Sequence, residues 1–334
     1  MRVFIKLMCI YLSFFFIQLP GKLYAAYDTI VVFGDSISDN GNLYEFFGPL
    51  AVSPDYYWRG RFSNGPVWVE YLSDPDKLDA NLVNWALGAA QTRGLVPSGF
   101  IEQVAYHVSS NDAPSQNTLF ILWIGANDYS FGLRDYEDSV GNIQEGLQDL
   151  ADFGAREFLV LNLPDLGKIP IYIGTSDAAD ATQFSMNFNN ELSHMIQEWR
   201  TSNPQIQVYY MDFFSMFSNL CLNSIDAGFT NVTEESPNFS EADNFDNSDG
   251  YVFWDERHFT TEMHEWAADK ALMTVTESNE TIEPSGNDSN ETLGQTGNKG
   301  KNSCFISSLQ PICQNILLSI CSSFHNELEY ILRH

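Results

Sequence analysis

The amino-acid sequence predicts an α/β domain with a central parallel sheet over residues 26–276 of the 334-residue chain. Three features carry that expectation. Short, β-branched apolar runs bounded by turn residues recur at lengths suited to buried strands. Between them lie longer segments whose apolar residues repeat at helical spacing, the alternation that builds a helix-covered parallel sheet. The strand-like runs end in Gly, Asp, Asn and Ser, at the edge where open α/β sheets place their ligands.

The first strand is Ile30-Val31-Val32-Phe33, which breaks at Gly34 into a polar segment holding Asp35, Ser36, Ser38, Asp39, Asn40 and Gly41. Ser36 therefore stands at a strand's carboxyl end and is a candidate nucleophile. A loop with Trp58-Arg59-Gly60-Arg61-Phe62-Ser63-Asn64-Gly65-Pro66 leads into a short helix at 67–72. Residues 82–86 predict a second strand, ending in Leu87-Gly88-Ala89-Ala90. Residues 118–124 form the clearest buried strand, followed by Gly125-Ala126-Asn127-Asp128. A helix is expected at 139–155, with Ile143, Leu147, Leu150 and Phe153 inward. The next strand, 157–163, closes on Pro164-Asp165-Leu166-Gly167; a long helix at 180–200 and a last parallel strand at 206–211 follow. Residues 219–250 read as irregular and acidic. They end in Tyr251-Val252-Phe253-Trp254-Asp255-Glu256-Arg257-His258, before a final helix at 260–275.

The two ends of the chain read differently. Arg2 and Lys6, an apolar stretch at 7–19 and the Pro20-Gly21 break predict a signal peptide of residues 1–25, and hence a secreted or periplasmic protein. That apolar stretch is too short to span a membrane. Residues 277–303 are a polar linker. Residues 304–334 predict an amphipathic, cysteine-containing helical tail, which would pack on its own domain or make peripheral contact with a membrane or partner surface. Cys221, Cys304, Cys313 and Cys321 allow two disulfides in three connectivities. No Cys/His spacing suits a metal, and no cofactor is expected.

The formal net charge is −28, from 44 acidic and 16 basic residues. Such a charge repels phosphate backbones and excludes nucleic acid as a partner. It equally disfavours anionic membranes.

A serine nucleophile needs a general base and a carboxylate to orient it. His258 lies in a turn before a helix, three residues after Asp255, a spacing that can return the carboxylate to Nδ1 and leave Nε2 for serine. His194 and His264 fall within helices, His107 precedes a polar loop, and His325 and His334 belong to the tail. Gly88 and Asn127, at the ends of neighbouring strands, could supply N–H donors to an oxyanion. Other arrangements fail. There is no Gly-x-Ser-x-Gly elbow, His264-Glu265 lacks a zincin's second histidine, and Phe245 occupies the first ligand position of the calcium-loop-like 243–250 segment.

The blocks Phe33-Gly34-Asp35-Ser36, Asn84-Trp85-Ala86-Leu87-Gly88, Gly125-Ala126-Asn127-Asp128 and Asp255-x-x-His258 resemble the four blocks of the GDSL, or SGNH, hydrolase family. The flanking Gly60-to-Pro66, Leu163-to-Gly167 and Phe253-Trp254 segments look like those of its exported bacterial lipases, of lysophospholipase A and glycerophospholipid:cholesterol acyltransferase types. The resemblance implies a flavodoxin-like three-layer α/β/α sandwich. It also implies Ser36 as nucleophile, His258 as base and Asp255 as orienter, with an oxyanion hole of Ser36 N–H, Gly88 N–H and the Asn127 amide. The implied activity is hydrolysis of phospholipid or lysophospholipid acyl esters through an acyl-enzyme, with water or an alcohol such as a sterol as acceptor. Tyr56-Tyr57-Trp58 and Phe253-Trp254 would suit an acyl-chain wall. The alternatives are a carbohydrate acetylesterase and an inactive lipid-binding module. Two positions depart from the family pattern: Ala89 stands where a second glycine is usual, and Phe259 where proline usually follows the histidine.

Overall fold

Five parallel strands form the central sheet in the order β2–β1–β3–β4–β5. They are β1 (Thr29–Gly34), β2 (Asn81–Asn84), β3 (Thr118–Trp123), β4 (Glu157–Leu161) and β5 (Gln207–Met211). This computed structural model describes residues 27–94, 98–240, 245, 248 and 250–277. The signal peptide expected at 1–25, and the linker and cysteine-bearing tail expected beyond 277, lie outside the described residues.

Every residue of β3 is buried, and all but the first of β1, which explains their continuous apolar runs. Val32 pairs with Asn84 of β2 on one side and Ile121 of β3 on the other. The β2 strand ends at Asn84, two residues earlier than the sequence predicts. Ladder-like bonding nevertheless continues, because Trp85 and Leu87 N–H donate to the carbonyls of Val32 and Gly34 at 2.8 and 3.1 Å.

Helices cover both faces. On one face α3 (Phe100–Ser110), α5 (Tyr136–Phe153) and α6 (Ala178–Ser202) pack side by side. On the other, α2 (Trp68–Ser73) packs against α8 (Thr261–Glu277). The aromatic core follows the strands' alternation. Phe33 meets Phe100 of α3, and Phe158 of β4 meets Trp199 of α6. Trp123 points the other way, to Trp68 of α2 and to Phe213 of α7 (Phe213–Leu222). Helix α5 begins three residues earlier than its apolar pattern indicates, because the Asp135 carboxylate caps it by accepting the Asp138 N–H.

The segment expected to be irregular, 219–250, carries a strand, β6 (Asn231–Glu235), which pairs in parallel with β7 (Tyr251–Phe253) just after it. Together they carry the chain to residues 254–258. The sheet order is that of flavodoxin-like folds, and its switch point lies between β1 and β3. Two short helices, α1 (Asn42–Phe47) after β1 and α4 (Ala126–Ser130) after β3, rise beside that crevice.

Candidate active site

Ser36 follows β1 in a tight turn fixed by its neighbour. The Asp35 carbonyl accepts the N–H groups of Ser38 and Asp39 at 3.0 Å, and its carboxylate accepts that of Ile37 at 3.0 Å. Just before the turn, the Gly34 N–H and carbonyl are both taken by the Gln103 side-chain amide of α3, at 3.0 and 2.9 Å. A Cβ at Gly34 would stand 2.7 Å from the Trp123 carbonyl, so only glycine lets β1 and β3 approach here.

His258 reaches this serine from the other end of the chain. Its Nε2 lies 2.9 Å from Ser36 Oγ, and its Nδ1 lies 2.7 Å from Asp255 Oδ2. A carboxylate at Nδ1 fixes that nitrogen as the N–H, leaving Nε2 to accept the serine proton. The Asp255-to-His258 turn is closed by its own backbone. Asp255 Oδ1 accepts the N–H groups of Arg257 and His258, each at 2.7 Å, and the Trp254 N–H donates to the His258 carbonyl at 2.8 Å. Phe259, in the place of the family's proline, is buried against Trp123, Phe213, Phe217 and Phe253. Burial of this ring anchors the turn that proline would otherwise stiffen.

Two side chains that the sequence reading did not assign to the triad complete the histidine's surroundings. The Tyr57 hydroxyl donates to Asp255 Oδ2 at 2.6 Å, and the Phe62 ring stacks on His258 at 4.9 Å. The expected acyl-chain wall is therefore revised. Tyr57 serves the carboxylate, while Phe253 and Trp254 are wholly buried in the core. The pocket at Ser36 is lined instead by Ile37, Trp123, Leu163, Leu166, Ile169 and Phe259.

The oxyanion donors need a correction. The Gly88 N–H, expected to face the oxyanion, donates to Asp39 Oδ2 at 2.8 Å. Gly88 is glycine for space, since a Cβ would run into the Phe62 ring and lie 2.9 Å from Leu43. Asp39 also accepts the N–H groups of Gly41, Asn42 and Leu43, so one buried carboxylate ties the nucleophile turn to the end of β2. The next residue, Ala89, has φ 64°, and its N–H has no acceptor among the described residues. Asn127 lines the pocket, and one of its amide N–H groups donates to the Ala90 carbonyl at 2.9 Å, leaving the other available.

Electrostatics separate the acids. Burial works to raise the Asp255 pKa, but the His258 charge and the donated hydrogen bonds outweigh it and hold the group at about 2. Burial dominates at Asp35 and lifts it to about 7, and at Asp39 to about 6 despite four backbone donors. The other described histidines are elsewhere. His107 is buried in α3 beneath Trp85, whose indole N–H donates to it at 3.0 Å; His194 is exposed on α6; His264 is buried in α8. Cys221, on α7, has no disulfide partner among the described residues, and burial raises its thiol pKa to about 11. The other three cysteines of the expected disulfides lie outside the described residues.

Comparison with known proteins gives a consistent picture. A family model described as GDSL-like lipase/acylhydrolase matches residues 30–271. The chain is 28% identical over 266 residues to a thermolabile hemolysin of Vibrio parahaemolyticus, covering 73% of this chain and 62% of that protein. It is 37% identical over 160 residues to a phosphatidylcholine-sterol acyltransferase of Aeromonas hydrophila, 43% of this chain and 47% of that one. The secreted effector protein SseJ of Salmonella typhimurium is 26% identical over 247 residues, 70% of this chain and 60% of SseJ. The chain thus spans between about half and three fifths of the length of these relatives.

Proposed function

The chain belongs to the GDSL-like lipase/acylhydrolase family, and from that membership we propose that it is a serine hydrolase of lipid acyl esters. The observation that carries this reading is the hydrogen-bonded series from Ser36 Oγ through His258 to Asp255, at 2.9 and 2.7 Å. In the reaction His258 Nε2 takes the Ser36 proton as Oγ attacks the ester carbonyl, and Asp255 stabilises the imidazolium. The oxyanion is met by the Ser36 N–H, the remaining Asn127 amide N–H and the Ala89 N–H, the last in place of Gly88. His258 returns its proton to the leaving alcohol, and the acyl-enzyme is resolved by water or by an alcohol acceptor. A sterol is one candidate acceptor, given the relative whose name specifies that transfer.

A lipid substrate is supported by the apolar side chains in the pocket wall and by exposed apolar side chains that follow β1 and β3. Phe46 at the end of α1 is 73% exposed and Leu50 after it 84%. Beyond α4, Phe131 and Leu133 are about half exposed. Exposed side chains this apolar suit contact with an acyl chain or aggregate. Export fits the N-terminal reading and the relative named as a secreted effector.

Ser36→Ala is expected to lower kcat on a lipid ester by on the order of 10⁴-fold while the protein stays folded. Hydrolysis undiminished in that variant would remove Ser36 from the mechanism. In a p-nitrophenyl ester series, kcat/KM should rise from acetate towards longer acyl chains. A preference confined to acetate would favour a carbohydrate acetylesterase, and a wild-type Ser36 unreactive to a fluorophosphonate would favour a lipid-binding module without catalysis.

A further inference from the structure

We propose that Tyr57 is a positioning residue of the hydrolytic site, one that holds Asp255 towards His258 and moderates the carboxylate's grip on the protonated imidazole. The inference rests on the reading of Ser36, His258 and Asp255 as one catalytic unit. An ionised carboxylate offers roughly four acceptor sites. At Asp255 four donors fill them: the Arg257 and His258 N–H groups on Oδ1, and His258 Nδ1–H and the Tyr57 hydroxyl on Oδ2. The carboxylate is 3% exposed, so water has little access to replace a donor that is lost.

Tyr57 and His258 therefore share one oxygen. The tyrosine proton, at 2.6 Å, draws on the same electron density that stabilises the imidazolium. Its own ionisation does not compete, because burial and then the Asp255 charge push the phenol well above its ordinary range. Hydrolysis needs this moderation. His258 must be neutral to accept the serine proton, and must then give that proton to the leaving alcohol. A carboxylate with fewer donors would hold the imidazolium more tightly and would keep the histidine charged to higher pH.

The ring is anchored independently of its hydroxyl. It packs edge-on to Phe62 at 5.2 Å and against Phe239 at 5.7 Å. Tyr57→Phe therefore removes one hydrogen bond and keeps the packing. The other groups whose charge is felt at Asp255, Tyr57 or His258 are Glu256 and Arg257 on the same turn, Asp35 after β1, Glu235 on β6 and His264 on α8. All of them persist in the variant.

The experiment is a pH profile of kcat/KM on a soluble p-nitrophenyl ester for wild type and Tyr57→Phe, with the His258 imidazole titrated by NMR in both resting proteins. The acid limb should move up by about 0.5–1 pH unit, so that kcat/KM on that limb falls roughly three- to tenfold while the alkaline plateau changes little. The imidazole titration should move in the same direction. In an Asp255→Asn background Tyr57→Phe should leave that titration where it is, which isolates the pathway through the carboxylate. A uniform fall in kcat with an unmoved limb and titration, or a shift to lower pH, would overturn the proposal. The NMR readout also separates it from the catalytic reading: were Ser36→Ala to retain activity, the Tyr57-dependent titration of His258 would still be measurable.

Discussion

Ala89 holds φ at 64°, a conformation that costs an L-residue about 1–2 kcal/mol, on a segment that also places Gly88 against Asp39 and Phe62. The strain falls on the residue whose N–H is proposed to meet the oxyanion. Ala89→Gly should relieve it, offset in part by glycine's greater freedom in the unfolded chain, and stabilise the protein by roughly 0.5–1 kcal/mol in urea titrations. A loss of stability would mean that the segment is not strained. Residues of this site differ in how far their sequence context reveals them. Ser36, Asp255 and His258, which the structure brings within hydrogen-bonding distance of one another in series, stand out in the sequence because each lies in a local turn. Gly88 is misleading, since its lack of a side chain makes room for Phe62 rather than exposing an amide. Tyr57 is silent in the sequence because its partner Asp255 is 198 residues away.

Among the elements, buried strands announce themselves and mixed ones do not. The β1 and β3 runs are apolar throughout, whereas β6 reads Asn-Val-Thr-Glu-Glu and β7 is three residues long, so neither carries a usable period. Helix α7 is also obscured: Phe213, Phe214, Met216 and Phe217 crowd its first turns and leave little polar contrast. The contact of α2 with α8 holds a test of its own. His264 of α8 is fully buried, accepts the Trp68 N–H on Nδ1 at 3.2 Å, and has no partner for Nε2 among the described residues. Burial, and then the charge of His258, lower its pKa to about 3, against an ordinary 6.5. Above pH 6.5 the neutral ring is matched in folded and unfolded chains. As pH falls from 6.5 towards 3 the unfolded chain takes up the proton first, and stability is lost. His264→Gln keeps a hydrogen-bonding side chain without titration, so its urea midpoint relative to wild type should rise as pH falls through that window. A difference independent of pH would show that His264 does not stay neutral.

For the whole molecule the dominant quantity is charge. With 44 acids against 16 bases, the folded chain concentrates like charge that the ion pairs among the described residues do not offset. Screening should relieve this: raising NaCl from 0.05 to 0.5 M should increase Tm by a few degrees. A fall in Tm would show that attractive pairs outweigh the repulsion. The architecture itself was largely legible, because alternating strands and helices admit few arrangements. The layout of the loops above the sheet was not, since they are held by contacts such as Trp254 Nε1–H to the Tyr56 carbonyl, again 198 residues apart.

The distance along the chain between Ser36 and His258, 222 residues, has a consequence for the order of synthesis. Ser36, the proposed nucleophile, leaves the ribosome early, while His258, its proposed base, comes only after all five strands of the central sheet have been made. A nascent chain thus carries a serine with no proton acceptor for most of its synthesis. On the proposed mechanism, ester cleavage begins only once the turn after β7 has closed, and a chain cut short before residue 258 would hold the serine without its base.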